Sequence, residues 1–152
     1  MLKKLFLTLF AILLFQTGAF ADEITDVKNF FQSYVDAANS YSHKVVDFYL
    51  PNAKITRVVH KKDGTKVAKN FPMSEYAKQM KMGAAAGKIA GYKNTYTNRV
   101  VTKVGNDFKL SATRTPGDDK TGLPCHFIIT NTPSGYKFKE ESMDTTVQKF
   151  LK

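Results

Sequence analysis

Apolar residues recur at Ile24, Val27, Phe31, Tyr34 and Ala38, spaced by threes and fours, with Phe30 and Val35 widening the stripe. That period predicts an amphipathic helix over 24–38 with one buried face. A second apolar segment, Val45 to Leu50, predicts a short second helix that Pro51 stops, because proline lacks an N–H and disfavours helix in the residue before it. Ala53 to His60 is rich in β-branched residues and is followed by the turn pair Asp63-Gly64 and the run Lys66 to Phe71, which predicts a β-hairpin. Pro72 ends it. Ser74 and Glu75 can then open a third helix through Tyr76, Ala77, Met80 and Ala84, which Gly83 and Gly87 weaken, so fraying is expected after Ala86. The runs Tyr92 to Val104, Phe108 to Thr115, Leu123 to Thr132 and Tyr136 to Met143 are separated by turn-forming clusters and predict a four-stranded antiparallel meander. The expected order is α-α-β-β-α-β-β-β-β, an α+β chain without repeats or linkers.

The first 21 residues have a different texture. Lys3 and Lys4, the apolar run Leu5 to Phe15 and the small-x-small end Ala19-Phe20-Ala21 match a cleavable secretory signal peptide, with a mature chain starting at Asp22. Residues 22–152 then form one expected domain, large enough to bury a core. Removing Lys3 and Lys4 leaves 21 Lys and Arg against 13 Asp and Glu, a net charge of +8, so the basic bias belongs to the domain. The apolar run is shorter than the roughly 20 residues that span a bilayer, and no membrane span is expected. Cys125 is the single cysteine and cannot form an internal disulfide. A periplasmic or secreted location follows as the expectation.

The element order, read over Asp22 to Met143, resembles the nuclear-transport-factor-two-like (NTF2-like) superfamily. The stretches Phe31-Gln32-Ser33-Tyr34-Val35 and Val45-Val46-Asp47-Phe48-Tyr49-Leu50-Pro51-Asn52-Ala53-Lys54-Ile55 are similar to that family's helix-one tyrosine and to its entry into the first strand. The resemblance implies a cystatin-like cone: three helices packed in the concave face of a curved antiparallel sheet. The superfamily holds isomerases, dehydratases, immunity proteins and many members that only bind ligands or partners, so fold alone does not name an activity. In its ketosteroid-isomerase-like enzymes a pocket tyrosine, matched here by Tyr34, polarises a carbonyl, and a first-strand carboxylate acts as base. That second position falls at or beside Arg57, and a guanidinium cannot accept a proton.

The remaining chemistry is sparse. His43, His60 and His126 lack any short metal-ligand spacing, and neither a metal nor a cofactor is expected. Cys125 and His126 are strand neighbours that point to opposite faces, which excludes a nucleophile and base pair; Cys125 reads as core. Alternation places Tyr92, Asn94, Tyr96, Asn98 and Val100 on the inner face of one strand, Arg114 in line with core residues of the next, and Tyr136, Phe138 and Glu140 on the inner face of the last, with Glu141 outside. Arg114 is either a pocket guanidinium or a snorkelling surface residue, and Glu140 either a pocket acid or a rim charge. The candidate ligand-binding residues are Tyr34, Phe48, Tyr49, Arg57, Tyr76, Met80, Tyr96, Asn98, Arg114, Phe127 and Glu140. The lysines are dispersed, and 18 Lys against 3 Arg in residues 22–152 is unlike a nucleic-acid surface.

The function expected is a non-enzymatic exported protein that holds a small amphipathic ligand in the cone or docks a protein partner on the sheet. One alternative is a pocket enzyme of isomerase or dehydratase type using Tyr34 with Glu140, His126 or Asp47. A second is an immunity-type protein neutralising an envelope toxin. A cationic outer sheet face, with Ile128 its clearest apolar residue, predicts a monomer or weak homodimer.

Overall fold

The computed structural model describes residues 2–117 and 119–151, and for residues 2–20 the backbone alone. The signal peptide reading, which concerns residues 1–21, thus lies almost wholly outside the residues whose side chains are described. Helix α1 runs Leu2–Asn39, and among the described residues no helix is long and apolar enough to cross a membrane. The predicted stripe is its buried face: Val27, Phe31, Tyr34 and Val35 are buried, with Ile24, Phe30 and Ala38 packed beside them.

The predicted second helix is only a 3-10 segment, His43–Phe48, capped by Ser42, whose hydroxyl accepts from the Lys44 N–H. Tyr49 and Leu50 already belong to strand β1, Tyr49–His60. Pro51 lies inside that strand, where the register with its neighbour breaks between Tyr49 and Lys54. A residue without an N–H is tolerated where the ladder is interrupted. Strand β2, Lys66–Phe71, pairs antiparallel with β1 through the Asp63-Gly64 turn, in which Gly64 takes φ +85°. Helix α2 runs Met73–Ala90, past the expected fraying point, and stops at Gly91 (φ +65°), whose N–H returns to the carbonyls of Gly87 and Lys88.

Strands β3 (Asn94–Val104), β4 (Asp107–Pro116), β5 (Leu123–Thr132) and β6 (Gly135–Thr145) form the predicted meander, and a second 3-10 segment follows at Gln148–Leu151. The sheet order is β2-β1-β6-β5-β4-β3. Every pairing is antiparallel except β1 with β6, which is parallel, so the curved, unclosed sheet is mixed. Both edge strands carry lysines, Lys66 and Lys69 on β2 and Lys103 on β3, which discourages edge-to-edge pairing.

The core lies where α1 crosses the concave face. Phe31 meets Phe127 at 5.0 Å between ring centroids, Tyr34 meets Phe138 at 4.8 Å, and Phe127 meets Phe138 at 4.9 Å. Aromatic pairs at these separations each add on the order of 1 kcal/mol beyond the area they bury.

Two bulges bend the sheet and set which side chains face inward. In β6, Phe138 pairs with Ile129 and Glu140 with Ile128, leaving Lys139 as an extra residue. In β3, Thr97 pairs with Thr113 and Val100 with Ser111, so Asn98 and Arg99 together oppose Ala112, and Asn98 adopts φ +53°. Such bulges sharpen local twist and reverse the inside-outside alternation beyond them.

Candidate functional site

Two of the expected pocket residues are turned outward by these bulges. Beyond Lys139, Glu141, Met143 and Thr145 are buried while Glu140 is half-buried on the convex side. Beyond Asn98, which is exposed, Arg99 turns toward the helices with its guanidinium 5.2 Å from the Phe31 ring, and Val101 is buried. The acid inside the cone is therefore Glu141, not Glu140.

Glu141 is the hub of the interior, 1 % exposed. Its Oε1 lies 2.6 Å from Arg57 Nη2 and accepts from the Tyr76 hydroxyl at 2.9 Å, while its Oε2 accepts from the Tyr49 hydroxyl. Arg57 Nη2 also donates to Tyr76 Oη at 2.7 Å and Nη1 to the Thr56 carbonyl at 3.0 Å. The Tyr34 hydroxyl is 3.2 Å from that of Tyr49. Because Tyr49 has one proton and gives it to Glu141, the proton between the tyrosines comes from Tyr34.

The electrostatics match this wiring. Burial raises the hydroxyl pKa of Tyr34, Tyr49, Tyr76 and Tyr96, and the negative charge of Glu141 raises each further. These tyrosines stay neutral and act as hydrogen-bond donors. Burial works against the charge on Arg57, but Tyr76 and Glu141 outweigh it and the guanidinium is held more firmly protonated.

A cavity of about 450 Å³ opens beside this network, lined by Tyr34, Arg57, Tyr76, Tyr96, Arg114 and Met143, with Tyr92, Leu123 and Phe150 adding apolar surface. Five of the expected residues, Tyr34, Arg57, Tyr76, Tyr96 and Arg114, thus line one cavity. Tyr49 sits behind it and borders a neighbouring groove with Leu50 and Met73, and Met80 borders clefts along α2. Phe48 packs on Tyr34 at 5.7 Å and Phe127 is wholly enclosed, so both are core.

Arg114 is 9 % exposed and sits opposite Tyr96 across the β3–β4 ladder. Its Nη1 donates to Asn94 Oδ1 at 2.9 Å and its Nη2 to the Asp144 carbonyl at 3.3 Å. Asn94 is held in turn by Asn39 at the end of α1, whose Nδ2 donates to the Asn94 carbonyl at 2.8 Å and whose Oδ1 accepts the Asn94 N–H at 2.9 Å. Sequence reasoning placed Asn94 on the inner face but not at the site, and it missed Glu141. A carboxylate within the stretch Phe138-Lys139-Glu140-Glu141 was the visible signal, but only the bulge decides which of the two goes in.

The other candidate groups are elsewhere. Cys125 is buried and its thiol is pushed up to about 12 by desolvation, so it is an inert core residue. His126 is on the opposite, convex face, as alternation requires. His60 ends β1 with Nε2 2.6 Å from Asp144 Oδ2 on that same side, and His43 is exposed. Among the described residues no group of His, Cys, Asp and Glu is arranged to hold a metal. Asp47 is exposed and borders the groove beside Tyr49 rather than the main cavity.

By sequence no family model and no curated protein matches the chain. By structure it is similar to an NTF2-like protein with a cystatin-like fold from Novosphingobium aromaticivorans, at 12 % identity and TM-score 0.63 over 91 % of this chain and 95 % of that one. It is also similar to a protein of unknown function from Pectobacterium atrosepticum, at 17 % identity and TM-score 0.61 over 82 % and 91 % of the two chains. A third likeness is to a Novosphingobium aromaticivorans protein provisionally named a scytalone dehydratase, at 8 % identity and TM-score 0.62 over 84 % and 86 %. At such identities shared shape speaks to fold and leaves activity open. The cone, the mixed curved sheet and these likenesses agree that this chain has the cystatin-like α+β fold of the NTF2-like proteins.

Proposed function

We propose that this is an exported binding protein that holds a small amphipathic molecule in its cone without transforming it. The cavity supports binding: its volume falls within the range of small-molecule sites, about 300–1,000 Å³, and it combines apolar walls with a few convergent polar groups. The observation that carries the absence of chemistry is the state of Glu141. Both oxygens of the buried carboxylate are engaged by Arg57, Tyr76 and Tyr49, whereas a general base must reach a substrate proton and exchange it. Releasing Glu141 for that work would leave the Arg57 charge buried and unpaired, at a cost of roughly 3–5 kcal/mol. Tyr34 donates to Tyr49, and its raised pKa keeps the hydroxyl protonated, so no base form is present to take a proton. Export rests on the leader-like residues 1–21.

The test is to express the full chain in a Gram-negative host, fractionate the cells and examine the recovered protein by native and denaturing mass spectrometry. The expected result is a periplasmic or secreted chain beginning at Asp22 that carries a small, extractable, chemically unaltered amphiphile. A cytoplasmic full-length chain would overturn export. Catalytic turnover of added amphiphiles that is lost in Tyr34→Phe would overturn the binding-only reading.

A further inference from the structure

Of the two buried arginines, Arg57 and Arg114, Arg114 alone has no countercharge among the described residues. Arg57 is neutralised by Glu141 at 2.6 Å. Arg114 makes no ion pair among the described residues, and its two contacts are to a neutral amide and a backbone carbonyl. Its Nε is buried with no hydrogen-bond partner, the only side-chain atom so placed among the described residues. The Tyr96 hydroxyl, from the residue directly across the ladder, likewise makes no hydrogen bond among the described residues. A nine-tenths buried guanidinium with an orphaned N–H is costly unless something meets it. Bracing Asn94 and β6 does not account for it, since neutral donors would serve there without desolvating a charge.

Building on the cone as a ligand site, we propose that Arg114 is an anion anchor that receives the carboxylate of an amphipathic monocarboxylic acid, with Tyr96 placed to donate a second hydrogen bond and the chain or ring of the acid lying along Tyr92, Leu123, Met143 and Phe150. A guanidinium edge matches a carboxylate in geometry and charge, and a charge-assisted bond in a desolvated site is among the stronger polar contacts. One uncompensated positive charge matches one negative head group. The neighbouring Cys125 thiol and the tyrosines are neutral, and the other charges lining the cavity besides the Arg57 pair, Asp119 and Lys149, are one of each sign. Alcohols would fill the same walls and can accept a hydrogen bond, but they leave the desolvated Arg114 charge without a counterion, and bonds between ionised partners are roughly twice as strong as neutral ones.

The experiment pairs acids with alcohols of matched shape, octanoate with octan-1-ol and phenylacetate with 2-phenylethanol, titrated into the delipidated mature protein at neutral pH. Binding is read by calorimetry and by the arginine Nε–H resonances in nitrogen-15 NMR. With three arginines in residues 22–152, Arg114→Met identifies the relevant signal by its loss. The expected result is that each acid binds at least tenfold tighter than its alcohol, shifts the Arg114 Nε–H resonance and loses its advantage over the alcohol in Arg114→Met. Equal binding of acid and alcohol would overturn the anion anchor and leave the cone reading intact. Acid preference that persists in Arg114→Met, or resides in Arg57 or Arg99 resonances, would also overturn it. Failure of all four compounds to bind would overturn the anchor together with the cone as a small-molecule site. If Arg114→Met does not fold, Arg114→Lys, which keeps the charge but has no Nε–H, identifies the resonance instead, and the acid-over-alcohol ratio and the Nε–H shift in the unaltered protein decide the matter.

Discussion

Arg57 of β1 and Glu141 of β6 meet at 2.6 Å across the parallel pair of the sheet, with side chains 8 % and 0 % exposed. The pair fastens the two halves of the sheet where β1 joins the meander. Replacing Glu141 by Gln removes the negative partner and strands the Arg57 charge, so Glu141→Gln is expected to destabilise the protein by about 3–5 kcal/mol. Replacing both by apolar residues, Arg57→Met with Glu141→Leu, removes the desolvation penalty along with the attraction and should recover most of that loss. Urea unfolding of the two variants measures the difference. A Glu141→Gln loss below about 1 kcal/mol would show that the pair is solvated in solution.

This pair also marks how far the sequence could be read. Period-3.6 and period-2 patterns located the C-terminal end of α1, the hairpin, α2 and four strands to within a few residues, while the start of α1, observed at Leu2 rather than Ile24, was not located. They failed where one residue interrupts the period. Lys139 and the Asn98-Arg99 bulge exchange inside for outside, and no propensity marks Lys139 as an inserted residue, so Glu140 and Asn98 were placed inward and Glu141 outward. Val45 to Leu50 was read as helix because its apolar run does not distinguish a 3-10 turn followed by a strand. Tyr34, Tyr76, Tyr96 and Arg114 were legible, since each lies on a stretch whose alternation or helical period is unbroken up to that residue, whereas Arg57 follows the register break between Tyr49 and Lys54 and was placed by the family resemblance. The parallel pairing of β1 with β6 depends on closure of the sheet and has no local signature.

Asn39 imitates a strand residue at the end of α1, since its amide meets both backbone groups of Asn94. Asn39→Ala leaves that half-buried N–H and carbonyl unsatisfied, and a loss of about 1–3 kcal/mol is expected. Asn39→Asp should do no better, because a carboxylate cannot donate to the Asn94 carbonyl and repels it instead. Asn94 Oδ1 holds Arg114, so both variants should also weaken acid binding in the titration above. Thermal unfolding and calorimetry on the same samples check the two effects together.

His126 gives the convex face a pH dependence of known sign. Desolvation lowers its pKa from 6.5 and the nearby Lys109 lowers it further, opposed by Glu140 and Asp144. A histidine with a lowered folded-state pKa disfavours the proton in the native state, so the unfolded chain protonates first as pH falls. Stability from this group is therefore full above the ordinary value of about 6.5 and declines as pH drops through it. His126→Gln should flatten the part of the stability profile between about pH 7 and pH 5. A profile unchanged by the substitution would mean the ring is solvated in both states.

The convex face also bears on self-association, and the Lys139 bulge changes its charge. Lys109, Lys137 and Lys139 lie on it, with Lys139 Nζ 2.8 Å from Asp107. Beyond the bulge, β6 presents Glu140, Ser142 and Asp144, with Asp144 gathered to His60 and Lys66. The face is thus of mixed charge rather than uniformly cationic as alternation suggested: Lys109, half-buried Ile128, Glu140 and Lys54 are register partners in one row, and Asp144 is offset by Lys66. Two copies related by a two-fold axis can set lysines of one against Glu140 of the other, a contact held by surface charges and little apolar area. Such a contact is weak and screened by salt. A monomer is expected at moderate and high salt, with concentration-dependent dimerisation appearing only at low salt and weakened by Glu140→Lys. Sedimentation velocity across a salt series measures this, and a dimer that persists at high salt and is broken by Ile128→Asp would overturn it in favour of an apolar interface.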